Sequence, residues 1–152
     1  MSLSPPGRPA HGYDYSDLDD LSSYTPPVVD GVPSPATTFA HDWDRQLTSV
    51  HRPDGGEVGL TYHPTNGRLL TLTQPARLPM SFEYWDVAQG AAAPSGQLRS
   101  VASPDTVTCG YEYTGPFVTR ETWSGNVSGV LARTLDADFR EQTETVTVGG
   151  SV

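Results

Sequence analysis

The sequence contains no lysine and no isoleucine, and only one cysteine, Cys109. A single thiol excludes an intrachain disulfide framework. No apolar run approaches the ~20 residues that a membrane-crossing helix needs, and the N-terminus lacks the apolar stretch of a secretory signal. Positive charge is scarce too: nine basic residues, all Arg, stand against eighteen Asp and Glu, for a net charge of −9. Proteins that grip nucleic acid do so through basic patches that release phosphate counterions, so this balance argues against such a partner. What the 152 residues hold in quantity is turn chemistry, with 15 Gly and 14 Pro. A chain broken that often cannot sustain long helices. Its length suits one ordinary domain, which buries roughly two thirds of its unfolded surface.

Residues 1–38 differ from the rest. They carry seven of the fourteen prolines and an acidic stretch with Asp14, Asp17, Asp19 and Asp20. Proline offers no N–H and Asp prefers turns, so this lead-in is expected to resist regular pairing and to lie extended over a neighbouring surface. Residues 39–152 are periodic. Runs rich in Val, Thr, Leu and aromatics alternate with turn clusters such as PDGG at 53–56, HPTNG at 63–67 and SGN at 124–126. The runs predict strands at 46–52, 57–62, 68–74, 80–86, 97–102, 106–113, 117–123, 127–135 and 139–148. Short connections make them antiparallel neighbours. The expected fold is all-β, with little or no helix.

Two registers recur through this region. Leu47, Leu69, Leu98, Phe117 and Phe139 start runs at intervals of 22, 29, 19 and 22 residues. Preceding them are paired large residues two apart: Phe39-x-His41, Leu60-x-Tyr62, Phe82-x-Tyr84 and Tyr111-x-Tyr113, with Arg133-x-Leu135 a degenerate fifth copy. The long interval contains the Ala-, Gly- and Pro-containing insertion at 88–96. Residues two apart on a strand share a face, so each pair makes a stripe that recurs once per hairpin. A unit of this size cannot bury such a stripe alone and needs its neighbours. An ordinary β-sandwich has no need of two coincident registers.

These residues also carry a resemblance. The segment TFAHDWDRQLTSVHRPDGGEVGLTYHPTNGRLLTLTQP at 38–75 resembles the bacterial RHS or YD repeat, whose pattern is roughly YxYDxxGRLTxVxxPDG. His41-Asp42 stands where that family has Tyr-Asp, and Arg45-Gln46-Leu47 replaces Gly-Arg-Leu; the next copy restores Gly67-Arg68-Leu69. FEYWD at 82–86 and residues 111–141 look like further units, and PPGRPAH at 5–11 resembles a segment between such repeats. The resemblance implies β-hairpins wound into a curved, spiral sheet of the teneurin type that closes into a hollow shell. In bacterial polymorphic toxins such a shell encloses a C-terminal toxin; in teneurins a related one supports adhesion. About five units look too few to close a shell, and no Asp-Pro dipeptide supplies the family's autoproteolysis signature. The chain is therefore expected to be a piece of shell wall from a longer protein.

His41, Asp42 and Asp44 offer metal-ligating atoms but lack a second His or a Cys at recognisable spacing. The acidic run at 14–20 lacks the spacing of a calcium loop and its bend glycine. No G-x-S-x-G elbow is present, no glycine motif cradles phosphate, and Cys109 within a strand is expected to be a small buried hydrophobe. Asn126-Val127-Ser128 fits a glycosylation pattern that its place in a turn explains equally well. No catalytic residue, cofactor or metal is expected. The leading expectation is a non-catalytic wall, secreted or at the cell surface as part of a longer chain, whose partners are further repeats and an enclosed C-terminal polypeptide. The structural anchors are Leu47, Leu69, Leu98, Phe117 and Phe139 with Phe39, Tyr62, Phe82, Tyr84, Tyr111 and Tyr113. The alternative is an adhesion module that binds carbohydrate by stacking sugar rings on Trp43, Trp85 and Trp123.

Overall fold

A computed structural model describes residues 1–29, 31, 34–86 and 96–149. Among these the chain is all-β, with antiparallel hairpins and no helix. It divides into two compact units, Met1–Leu78 and Pro79–Val152. The first holds β1 (Ser2–Leu3), β2 (His11–Tyr15), β3 (Leu21–Thr25), β4 (Thr37–His41), β5 (Leu47–His51), β6 (Glu57–Tyr62) and β7 (Leu69–Thr73). The second holds β8 (Met80–Tyr84), β9 (Leu98–Ala102), β10 (Thr108–Thr114), β11 (Phe117–Ser124), β12 (Ser128–Leu135) and β13 (Glu141–Gly149). In each unit the strands pair in sequence order. Among the described residues, contacts between elements join strands adjacent in sequence, so each unit is one layer deep.

Each of the nine predicted runs overlaps one strand, from β5 to β13, and β10, β11 and β13 each extend one residue past theirs. The lead-in is the correction. Residues 1–38 do not lie extended and unpaired: Tyr13 pairs with Tyr24 and Asp14 with Ser23 across β2 and β3, and β3 pairs with β4 through Tyr24 and Thr37. The prolines that argued against pairing fall outside these strands, with Pro5, Pro6 and Pro9 before β2 and Pro26 and Pro27 just after β3. Of the Asp residues, Asp14 pairs within β2, while Asp17, Asp19 and Asp20 lie in the turn between β2 and β3. Asp19 takes a left-handed backbone at φ 61°, a conformation that Asp tolerates better than most residues. The insertion at 88–96 lies, except for Gly96, outside the described residues.

One irregularity repeats. Each hairpin of the series carries a β-bulge at the same point, between Asp14 and Tyr15, Ala40 and His41, Thr61 and Tyr62, Glu83 and Tyr84, Glu112 and Tyr113, and Thr134 and Leu135. Past the bulge Tyr15 stands opposite Leu21, His41 opposite Leu47, Tyr62 opposite Leu69, and Tyr84 opposite Leu98. For Leu47, Leu69 and Leu98 the two sequence registers are therefore the two sides of one bulged pair. Bulges kink a strand and add twist at a fixed place. Repeating one per hairpin keeps successive hairpins alike.

The turn beyond the bulge explains the aspartate of the motif. Asp42 Oδ1 accepts the backbone N–H groups of Asp44 and Gln46, both at 2.9 Å. Asp136 Oδ1 does the same for Asp138 and Arg140, at 2.8 and 2.9 Å. Ser16 Oγ replaces the carboxylate in the first hairpin, accepting from Leu18 and Asp20 at 3.2 Å each. Such side-chain acceptors fix a turn by satisfying donors that no strand can reach.

Candidate functional site

The pleat sorts the side chains of each unit onto two unlike faces. In the first unit Phe39 stands opposite Val50 and Val50 opposite Val58, while Leu60 faces Leu72. Tyr13 and Tyr24 continue this face, with ring centroids 5.3 Å apart. In the second unit one row crosses all six strands: Phe82, Val101, Cys109, Trp123, Gly129 and Val148. A parallel row runs Tyr111, Glu121, Leu131 and Val146. The reverse faces are polar. Asp14, Ser23, Thr38, His51 and Glu57 form one such row, and Glu83, Ser100, Gly110 and Thr122 another.

Among the described residues no hydrophobic side chain is buried. Among the described residues, the contacts that shield these apolar faces within each unit come from strands adjacent in sequence. Cys109 was expected to be a buried hydrophobe; it is half-buried, between Val101 and Trp123. Trp123 owes its place to Gly129 opposite it, because a Cβ there would collide with the indole.

Neighbouring hairpins are clasped by side chain to backbone. The Tyr62 hydroxyl donates to the Leu47 carbonyl at 2.7 Å, and Tyr113 donates to Leu98 at 2.9 Å. Beside each anchor, Gln46 Nε2 donates to the Gly67 carbonyl at 2.7 Å and Gln97 Nε2 to that of Gly115 at 3.0 Å. Partial burial pushes the Tyr62 and Tyr113 hydroxyls above the ordinary phenol value, and Asp42 adds to the effect at Tyr62. Tyr111 shifts the same way for the same first reason. Repeat periodicity had marked the two clasping tyrosines. The glutamines carried no signal beyond standing directly before Leu47 and Leu98.

The remaining anchors are placed differently. Opposite Tyr113 past the bulge is Val118, and Phe117 pairs with Thr114. Opposite Leu135 is Glu141, and Phe139 sits in the turn at φ 60°. The two phenylalanines meet instead as stacked rings, 5.6 Å apart. In the degenerate copy, Arg133 fills a stripe position because carboxylates flank it, with Glu121 at 2.8 Å and Glu144 at 2.9 Å. Those bonds raise the already high guanidinium pKa.

The three tryptophans do not form one surface. Trp85 donates its indole N–H to the Tyr111 carbonyl at 3.1 Å, and the Arg99 guanidinium lies 5.0 Å from its ring centroid. Trp123 packs on the apolar face. Trp43 alone is free, 94% exposed on the turn after β4. It borders a depression of about 610 Å³ lined also by Leu18, Phe39, His41 and Asp42. In the acidic run, Asp20 forms a two-pronged bond to Arg45, which lowers its pKa, and Asp14 accepts from Ser23. Among the described residues no three His, Cys, Asp or Glu side chains gather as a metal site.

Fold and faces define an antiparallel hairpin-repeat protein, each of whose two units has one apolar and one polar face. No protein-family model matches the chain, and no curated protein matches it.

Proposed function

We propose that this chain is a non-catalytic wall segment of an RHS/YD-repeat shell, secreted or displayed at the cell surface as part of a longer protein. Its apolar faces would line the space occupied by an enclosed C-terminal polypeptide. The observation that supports this reading is the uncovered apolar face on a sheet whose hairpins bond only to their neighbours. A sheet that buries no hydrophobic side chain needs another surface over that face, and an enclosed chain supplies one. The bulged Tyr–Leu pairs and the Asp-capped turns give the motif a physical basis, because each serves the join between hairpins. Limited proteolysis of the full-length gene product tests the proposal. The segment C-terminal to the repeats should resist protease while the sheet is folded and be cut once mild urea opens it. Cleavage at the rate of the same segment expressed alone would overturn the reading.

A second reading rests on Trp43. Its exposed ring on a turn, beside carboxylates, suits stacking against a sugar in an adhesion module. Titration with oligosaccharides followed by Trp fluorescence should then give a saturable change that Trp43→Ala abolishes. No change with any glycan ends this reading.

A further inference from the structure

We infer that the depression between the turns after β2 and β4 is a docking site for a basic peptide, which lays an arginine or lysine side chain over Trp43. Both turns belong to the first unit, and they are tied together. The Arg45 guanidinium on one makes a two-pronged bond to the Asp20 carboxylate on the other, at 2.7 and 3.1 Å. Each turn is also pinned internally, the first by Ser16 Oγ and the second by Asp42 Oδ1. Walls fixed before a ligand arrives keep the ordering cost of binding low.

The lining is apolar and acidic. Leu18 and Trp43 are both exposed, which leaves the indole face open, and Phe39 lies beside them. Asp17, Asp20 and Asp42 share the depression. Arg45 neutralises Asp20, while among the described residues the Asp17 side chain has no hydrogen-bond or ion-pair partner. The local charge is thus negative, as is that of the whole chain at −9. An indole face attracts cations through its quadrupole, and adjacent carboxylates strengthen the pull. The protein makes this contact once within itself, where Arg99 lies over Trp85. At Trp43 the ring and the counter-charges are present and the cation is left for a partner to supply. A neutral sugar would use the ring and leave the carboxylates unanswered; a side-chain cation uses both. The space, about 610 Å³, exceeds one side chain, and its apolar part suits the aliphatic stem and the residues flanking it in a peptide. Such a peptide fits whether or not the wall encloses it.

Anisotropy of a labelled tetra-arginine peptide titrated with the 152-residue chain should rise to saturation, and that of a tetra-glutamine peptide should stay flat. Trp43→Ala should weaken binding at least about fivefold, and Trp43→Phe by less. Asp17→Asn, in an exposed turn, is the second variant; it should also weaken binding while circular dichroism stays that of a sheet. No binding by the wild-type chain would overturn the inference. So would equal affinity in Trp43→Ala, since the peptide would then be sensing net charge alone. A saturable response to a neutral oligosaccharide but not to tetra-arginine would overturn it too, and would leave the sugar reading standing.

Discussion

Tyr62 and Tyr113 recur because of their hydroxyls as well as their rings. Each reaches the carbonyl of the leucine fifteen residues earlier and ties one hairpin to the one before. Replacing either with Phe should cost about 1 kcal/mol, the usual net worth of a half-shielded hydrogen bond, measured by urea unfolding. The same bonds carry a pH signature. A phenol pKa raised in the folded state contributes stability that is complete below the unfolded value of about 10 and is lost as pH climbs through the higher folded one. Stability should therefore fall above about pH 10, and the fall should shrink in a Tyr62→Phe, Tyr113→Phe double variant. Thr106 offers the opposite test. The turns at 52–56 and 103–107 share a hydrogen-bond pattern, with Gly55 at φ 80° in one and Thr106 at φ 64° in the other. A β-branched residue is strained there, so Thr106→Gly should stabilise the protein by about 1 kcal/mol in the same assay. A loss of stability would show that the threonine side chain outweighs its backbone cost.

Three bulged hairpins join a large residue before the turn to an anchor after it: His41 to Leu47, Tyr62 to Leu69 and Tyr84 to Leu98. Tyr62 with Leu69 and Tyr84 with Leu98 were both visible as sequence registers, because a bulge displaces the partner without destroying the interval. Phe117 and Phe139 show the limit of interval counting. Both keep the spacing, yet Phe117 stands one residue before Val118, the partner of Tyr113, and Phe139 occupies a left-handed turn position; the two rings stack on each other. Spacing reports how far apart two residues are along a chain, and a one-residue change in loop length moves the cross-strand partner. Gly129 is a matching case on the strands themselves. Nothing in the sequence marks it, but the Trp123 indole fills the place its Cβ would take. Gly129→Ala should destabilise the sheet by more than 1 kcal/mol, as overpacking does, and should shift Trp fluorescence; an unchanged spectrum would mean the indole rests elsewhere.

At the scale of the molecule the lack of burial decides the behaviour. In a closed core, Leu→Ala costs about 2–5 kcal/mol. Leu60 pairs with Leu72 on a face with no second layer, so Leu60→Ala should cost less than about 2 kcal/mol in urea unfolding. The native protein should also bind an apolar dye such as ANS strongly, and that fluorescence should fall when an enclosed polypeptide is present. Weak native binding would mean that the faces are covered in solution.

From composition and spacing alone came the all-β class, all strands from β5 to β13, the hairpin period and the stripe of large residues. Those features follow from local physics: alternation decides which side chains share a face, and Gly, Asp and Pro decide where strands stop. Three things depended on tertiary structure. Residues 1–38 join the sheet as another bulged hairpin, because pairing depends on where prolines fall and not on how many there are. The clasps of Tyr62, Tyr113, Gln46 and Gln97 link residues of different hairpins, a distance no local pattern encodes. The bare apolar face is likewise invisible in sequence, since a stripe reads the same whether or not something lies over it.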